Sequence, residues 1–181
     1  MRADARRNVE RILKAAEDLF ASDGLSVPVD MIAGRAGVGV GTLYRHFPTK
    51  EALFTAVVVA HLESLSDMAE DLSSSEPGEA FFTFLRELGE TAARKRDLAD
   101  SLARAGLFTA ETCPIKQRLQ EQFETLLARA QAAGAVRPDV TADDVTALVM
   151  GACLTGGEHG QPAAGVMVSV ICDGLRAGHR P

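Results

Sequence analysis

The sequence lacks a hydrophobic run long enough to cross a membrane. Its longest apolar stretches, residues 56–60 and 166–172, are far shorter than the ~20 residues that span a bilayer. The first eight residues are charged and polar, and no apolar segment of the kind found in secretory signals follows them. We therefore expect a soluble, cytoplasmic protein that has no membrane partner.

Cysteine is scarce, and the motifs that carry common enzyme chemistry are absent from the sequence. The three cysteines, Cys113, Cys153 and Cys172, form no C-x-x-C pair, so each is expected to act as a small buried hydrophobe. There is no H-E-x-x-H zinc motif, G-x-S-x-G elbow, phosphate-binding P-loop or dinucleotide fingerprint. We expect a protein that is not an enzyme and that has no cofactor and no metal site.

Excess positive charge is also missing, but the charge is unevenly distributed. The net charge is −6 and the isoelectric point is near 5.2, which excludes a polycation that coats nucleic acid. Residues 1–50 hold 8 Lys and Arg against 6 Asp and Glu, whereas residues 51–181 hold 11 against 19. A mildly basic N-terminal part therefore precedes an acidic remainder, and this uneven charge favours one orientation toward a polyanionic partner.

Alternating strand patterns are absent, and helical periodicity dominates the 181 residues. Hydrophobic residues make up 46% of the chain and charged residues 24%, which is a globular composition. We predict an all-α fold of about nine helices. The predicted helices cover residues 5–22, 28–36, 40–47, 50–72, 79–96, 97–108, 115–133, 142–155 and 162–177.

The most informative segment lies between residues 32 and 50, where two short helices flank Gly37. A helix-turn-helix requires a tight turn at a residue that is free to adopt positive φ, followed by a helix that enters the major groove. Leu43 and Phe47 lie four residues apart and are predicted to face the core. The outward-facing side chains are then Val40, Thr42, Arg45 and His46, and the small Gly39 and Gly41 allow close approach to DNA.

Each outward side chain suits one kind of DNA contact. Arg45 can bond bidentately to guanine, and Val40 and the methyl group of Thr42 can contact a thymine methyl. Tyr44, Thr42 and Lys50 suit phosphate oxygens, and Lys50 also lies in the first turn of a helix whose free N–H groups favour an anion. Taken singly, each would more often be an ordinary surface or half-buried residue, so only the position after the glycine turn favours DNA contact.

The N-terminal residues, to about position 55, resemble the DNA-binding domain of the tetracycline-repressor (TetR) family of transcriptional regulators. The stretch Ala-Gly-Val-Gly-Val-Gly-Thr-Leu-Tyr-Arg-His-Phe-Pro-Thr-Lys-Glu-Ala-Leu, residues 36–53, carries the resemblance. It implies a helix-turn-helix DNA-binding domain over residues 1–50 and an effector-binding and dimerisation domain over residues 51–181. It also implies a homodimeric repressor that binds a palindromic operator in double-stranded DNA and is released by a small-molecule effector. The DNA-contacting residues that match the motif are Val40, Gly41, Thr42, Tyr44, Arg45, His46 and Lys50.

Two positions depart from the family pattern. Gly39 stands where serine is common, so it offers no side chain that could cap the recognition helix or bond a phosphate. Asp30 occupies a place in the second helix that holds a basic, DNA-contacting residue in some relatives. Because a carboxylate repels phosphate, we expect the second helix to contribute mainly packing.

Beyond about residue 55 the resemblance is architectural, and the candidate sites depend on pattern. The last two helices are apolar on more than one side, which favours a two-fold partner as their cover. The predicted dimer-interface residues are Val145, Leu148, Val149, Val166, Val170 and Ile171. Phenylalanines at helical spacing pack in the core by default. The same side chains would also line a cavity between the helices. The predicted effector-pocket residues are His61, Leu65, Phe84, Phe108, Phe123 and Met150.

Two other classes of protein remain open on the residues alone. One is a helical small-molecule-binding protein or enzyme with a vestigial DNA-binding motif. The other is a constitutive DNA-binding protein that has no effector. Binding to palindromic DNA with a steep salt dependence would contradict the first, and release of the DNA by a metabolite would contradict the second.

Overall fold

The computed structural model describes residues 2–94, 113–155 and 164–178, and helices dominate these ranges. Eight α-helices lie in the described residues, close to the nine expected, so the all-α prediction is confirmed; the predicted helix over residues 97–108 lies outside them. Two short 3₁₀ turns, Gly24–Ser26 and Leu72–Ser74, follow the first and fourth helices. The α-helices are α1 (Arg2–Asp23), α2 (Val29–Ala36), α3 (Val40–His46), α4 (Lys50–Asp71), α5 (Pro77–Arg94), α6 (Cys113–Ala132), α7 (Ala142–Thr155) and α8 (Ala164–Leu175).

Residues 2–62 belong to one compact unit, which we call the first unit. Phe20 of α1 and Phe54 of α4 meet edge to face in its core, with ring centroids 5.7 Å apart. Ile32 of α2 and Leu43 of α3 are buried in the same hydrophobic cluster. Each such side chain contributes about 1.5–3 kcal/mol when it is fully buried, so the core holds α1, α2 and α3 to α4.

The helix ends of the first unit follow known capping chemistry. Gly24 follows α1 in the left-handed conformation, with φ 70°. Pro28 is the N-cap residue of α2 and does not lie inside the helix, so α2 begins one residue later, at Val29. Thr49 caps α4, since its Oγ1 accepts a hydrogen bond from the Ala52 N–H at 3.0 Å.

Residues 63–94, 114–155 and 164–178 belong to a second unit, which has its own core. Phe123 of α6 packs against two aromatic rings of α5: it stacks on Phe81 at a centroid distance of 5.9 Å and is tilted against Phe84 at 5.7 Å. Helix α5 also packs against both α7 and α8. Because the chain divides inside α4, this helix contributes side chains to two cores. The predicted domain boundary after residue 50 stays a prediction.

Helices α5 and α8 approach each other closely at Gly89. A Cβ atom at this position would lie 2.4 Å from Cγ2 and 2.9 Å from Cγ1 of Val168. Val168 is itself buried in the core of the second unit. Because these distances are far below van der Waals contact, a side chain at position 89 requires α8 to move.

The end of α8 is held by the loop that follows α6. Val136 and Arg176 form an isolated antiparallel bridge. The Arg137 N–H donates to the Leu175 carbonyl at 2.9 Å, and the Ala177 N–H donates to the same loop at 3.1 Å. We call these contacts the C-terminal clasp, and they fix the last described residues of the chain to the second unit.

A capping box begins α7. Asp144 Oδ2 accepts hydrogen bonds from the Thr141 hydroxyl and the Thr141 N–H, at 2.6 and 2.9 Å. In return, Thr141 Oγ1 accepts the Asp144 N–H at 3.2 Å. The hydrogen bonds from Thr141 hold the pKa of Asp144 below its ordinary value.

Helix α4 passes a membrane-span test on length and composition alone. The segment Lys50–Ser74 has a mean hydropathy of 1.3, and core helices of soluble proteins pass the same test. Leu53 and Phe54 are buried in the core of the first unit. Leu65 and Ala69, further along the helix, are also buried. The apolar residues of α4 therefore have protein partners, which accounts for its hydropathy.

Candidate nucleic-acid interface

A single left-handed residue turns the chain from α2 into α3. Gly37 has φ 63° and ψ 38°. Its N–H donates to the Gly34 carbonyl at 3.1 Å, and the Val38 N–H donates to the Ala33 carbonyl at 3.0 Å, which closes α2 with a Schellman motif. This positive φ confirms the predicted glycine turn. Any side chain at this φ would be strained, which is why glycine suits the position.

Helix α1 fixes the same turn from outside. Nη2 of Arg11 donates a hydrogen bond to the Gly37 carbonyl oxygen at 3.0 Å. A Cβ atom on residue 37 would lie 2.3 Å from that nitrogen, so the glycine also makes room for the arginine. Sequence reasoning missed Arg11, because its partner is 26 residues away and no local motif links the two.

Helix α3 has one buried side and one exposed side. Leu43 and Phe47 are 1% and 8% exposed and pack in the core of the first unit, as predicted. Two large hydrophobic side chains on the opposite side, Val40 and Tyr44, are 39% and 45% exposed. Val40 and Tyr44 lie one helical turn apart, so they share one side of α3. We call the exposed side the α3 face, and it consists of Val40, Gly41, Tyr44 and Arg45.

The other predicted DNA contacts flank the α3 face. Thr42 and His46 belong to α3 and are half-buried. Lys50 is also half-buried and is the first residue of α4. The structure therefore places the seven predicted DNA-contact residues on α3 or at the first residue of α4.

The start of α3 has no side-chain cap. Gly39 is the N-cap residue, with φ −71° and ψ 146°. Its carbonyl oxygen accepts the N–H groups of Thr42 and Leu43 at 2.8 and 3.1 Å, so the backbone alone begins the helix. The prediction that Gly39 supplies no cap is confirmed.

The predicted effector-pocket residues lie mostly in packed regions. Phe84 and Phe123 are 1% and 3% exposed, and their rings meet at a tilt and fill core volume in the second unit. Leu65 is buried as well, whereas His61 and Met150 are half-buried. The structure thus uses the two phenylalanines for core packing, the default role for such side chains.

A cavity of about 560 Å³ opens elsewhere, between the end of α4 and α6. Its lining combines the carboxylates of Glu70 and Glu121 with the guanidinium groups of Arg118 and Arg129. None of the predicted pocket residues lines it, and Phe108 lies outside the described residues. The assignment of an aromatic effector pocket stays a prediction.

The six predicted dimer-interface residues divide between surface and core. Val145 and Val149 have no exposed surface and belong to the core of the second unit, so their assignment to the interface is corrected. Ile171 is half-buried and packs against the same core. One of the apolar sides of α7 therefore packs in the core of the second unit. The exposed members are Leu148, Val166 and Val170, at 52%, 58% and 66%.

A helix-turn-helix with an exposed recognition helix, followed by a second helical unit, defines a DNA-binding transcriptional regulator. Residues 12–57 match the family described as bacterial regulatory proteins of the tetR family. Residues 76–177 match the C-terminal domain of SbtR-like transcriptional regulators. The chain belongs to the TetR family of transcriptional regulators.

Similar proteins agree with this assignment. The TetR transcription regulatory protein from Mycobacterium vanbaalenii is 42% identical, with 97% of this chain and 98% of that chain covered and a TM-score of 0.77. The TetR transcriptional regulator SCO0520 from Streptomyces coelicolor is 34% identical, covers 94% and 99%, and has a TM-score of 0.77.

A shorter match involves a helix-turn-helix-type transcriptional regulator of Staphylococcus aureus strain USA300. It is 41% identical over 64 residues, which is 35% of each chain. The chain therefore aligns with about a third of the length of this curated relative. Regulators of the TetR family bind DNA, form dimers and are in general not enzymes.

Proposed function

We propose that this protein is a dimeric, effector-responsive repressor that reads a palindromic operator with α3. The α3 face carries the proposal, because it exposes Val40, Tyr44 and Arg45 while Leu43 and Phe47 anchor the helix in the core. A recognition helix must be held rigidly on one side and be free on the other. In a helix-turn-helix the free side enters the major groove.

The predicted contact residues on α3 and at the start of α4 make different kinds of contact with DNA. The Arg45 guanidinium offers two parallel donors that match O6 and N7 of guanine, so it carries most of the base specificity. Val40 and the Thr42 methyl group suit the methyl group of thymine. Tyr44 and Lys50 reach phosphate oxygens, which position the helix without reading sequence.

A second copy of the chain covers the exposed hydrophobic side chains of α7 and α8. Val166 and Val170 lie one helical turn apart on α8, and Leu148 is exposed on α7. Soluble monomers rarely expose adjacent large apolar side chains without a partner. A two-fold axis through such a contact also presents two recognition helices to the two halves of a palindrome.

We place the effector site in the second unit and assign transmission to α4, because this helix contributes side chains to both cores. An effector that prefers one arrangement of α4 shifts the population by its differential affinity for the two states. In a repressor, the arrangement that the effector favours fits the operator less well. The protein acts in the cytoplasm, where it reaches the chromosome of a bacterial cell.

Selection of binding sites from random double-stranded DNA tests the proposal directly. We expect enrichment of an inverted repeat whose half-sites lie about 34 Å apart or at a multiple of that distance. Binding to the enriched duplex weakens steeply with salt, because Lys and Arg contacts release counterions. Enrichment of a sequence without two-fold symmetry would contradict the proposal that a dimer docks on the operator. Failure to enrich any sequence would contradict the proposal that the protein is a sequence-specific regulator.

Arg45→Ala is expected to weaken operator binding by about 1–3 kcal/mol and to relax preference at one base pair of each half-site. The measurement is titration of the enriched duplex and of duplexes substituted singly at each position. Arg35→Ala is the matched control, since Arg35 is exposed on α2 and its removal changes the charge equally. If Arg45→Ala weakens all sequences to the same degree, then Arg45 contacts only phosphate.

A further inference from the structure

One acidic side chain interrupts the basic character of the helix-turn-helix. Between Asp23 and Glu51 the sequence contains a single acidic residue, Asp30, against the basic Arg35, Arg45 and Lys50. Asp30 is the second residue of α2 and is exposed. A carboxylate at this position lowers the attraction of the whole motif for DNA.

The Asp30 carboxylate lies against the backbone at the start of α2. Its Oδ1 accepts a hydrogen bond from the Met31 N–H at 3.0 Å. The N-cap residue, Pro28, makes no side-chain hydrogen bond to this turn. Free N–H groups at a helix start are a natural site for a phosphate oxygen. Asp30 therefore fills, with its own negative charge, a position that a DNA phosphate would otherwise take.

This end of α2 faces solvent. Met31, the next residue, is 52% exposed although its side chain is large and apolar. Ile32, Ala33 and Ala36 form the buried side of α2 and anchor it in the core of the first unit. The exposed start of α2 is therefore open to a partner, and the helix does not depend on Asp30 for its packing.

We propose that Asp30 is a specificity-determining residue that weakens binding to DNA of arbitrary sequence. The inference rests on the proposed docking of α3, because the first helix of a helix-turn-helix crosses the sugar-phosphate backbone when the second enters the groove. Repulsion between the Asp30 carboxylate and phosphate acts on every sequence alike. Base contacts from the α3 face offset it only on the operator, so the ratio of specific to non-specific affinity rises.

Asp30→Asn isolates the charge, because the amide oxygen still accepts the Met31 N–H while the negative charge is gone. We expect its affinity for a random-sequence duplex to rise by roughly threefold to tenfold. The salt dependence should steepen by up to about one unit of slope, because the surface that faces the phosphates loses one negative charge. Operator affinity should rise by a smaller factor, so selectivity falls.

Two further variants control for other causes. Asp67→Asn removes the same charge from an exposed position on α4 in the second unit, and we expect it to leave the salt slope unchanged. Asp30→Glu keeps the charge, and we expect it to retain the low non-specific affinity of the natural protein. Thermal unfolding of all three checks that the helix-turn-helix remains folded, and a merely structural role for Asp30 would move the melting temperature and not the salt slope.

The outcomes separate this inference from the proposed function. If the natural protein binds no DNA, then the proposed function fails. If it binds DNA and Asp30→Asn matches Asp67→Asn in both affinity and salt slope, then the role of Asp30 is overturned. Weaker binding by Asp30→Asn would overturn it as well, because the carboxylate would then be supporting the interface.

Discussion

Val170→Glu is expected to convert the dimer into monomers and to lower operator affinity by about a hundredfold or more. Val170 is the most exposed of the large hydrophobic side chains in the described residues, at 66%. In the proposed dimer this side chain is covered by the partner, so a glutamate would bury an unpaired charge against apolar surface. Each monomer then binds only one half-site and loses the effective concentration that links the two recognition helices.

The choice of residue makes this prediction interpretable. Because Val170 lies outside the core, glutamate at this position leaves the subunit folded, and circular dichroism should show the natural helix content. Val149→Glu would place the charge in the core of the second unit, where it would unfold the chain and report nothing about the dimer. Leu148→Glu on α7 provides a second test of the same surface.

Ala128→Glu is the matched control, since Ala128 is an exposed position on α6 and the substitution adds the same charge. Sedimentation velocity should show a dimer for the natural protein and for Ala128→Glu, and a monomer for Val170→Glu. A dimer that survives glutamate at both Val170 and Leu148 would discard this surface as the interface.

Gly89→Ala is expected to destabilise the second unit by about 1–3 kcal/mol, although alanine is the better helix former. The added Cβ would lie 2.4 Å from Cγ2 of Val168, and this neighbour is a buried, β-branched side chain with little freedom to rotate. Helix α8 must therefore shift away from α5. Denaturation in urea, followed by circular dichroism, measures the loss in free energy of unfolding.

A double-mutant cycle identifies the cause of that loss. Val168→Ala removes the methyl groups that meet the new Cβ, so the double variant should be less destabilised than the sum of the two single variants. Gly174→Ala is the control on α8, because a Cβ there meets no atom within 4 Å and should not destabilise the helix. Strict additivity of Gly89→Ala and Val168→Ala would show that the two positions do not compete for space.

The first unit was largely predictable, because residues close together in the sequence determine its turn and its buried positions. Leu43 and Phe47 lie four residues apart, and this spacing alone orients α3. Gly37 was recognisable because few other residues tolerate its backbone conformation. Arg11 was not predictable, since a hydrogen bond from an exposed arginine to a carbonyl 26 residues away has no sequence pattern.

The second unit was less predictable, because apolar residues in its helices can lie either in the core of the subunit or on its surface. Val149 and Leu148 are adjacent and similar in hydrophobicity, yet one is fully buried within the subunit and the other is 52% exposed. Only the packing of α7 in the core distinguishes them. Phe84 and Phe123 suited a cavity wall as well as a packed core, and the contact between their rings depends on α5 and α6 meeting in three dimensions.

The C-terminal clasp has a consequence for the order in which the chain matures on the ribosome. The described core of the first unit is complete at Leu62, whereas the core of the second unit needs Leu175 and the clasp needs Arg176. At about 5–20 residues/s, synthesis of the intervening chain takes roughly 6–23 s. During that interval the first unit of the nascent chain has its complete described core, while the core of the second unit is still incomplete. The contact between subunits in the proposed dimer can therefore form only after the residues of α8 have been synthesised.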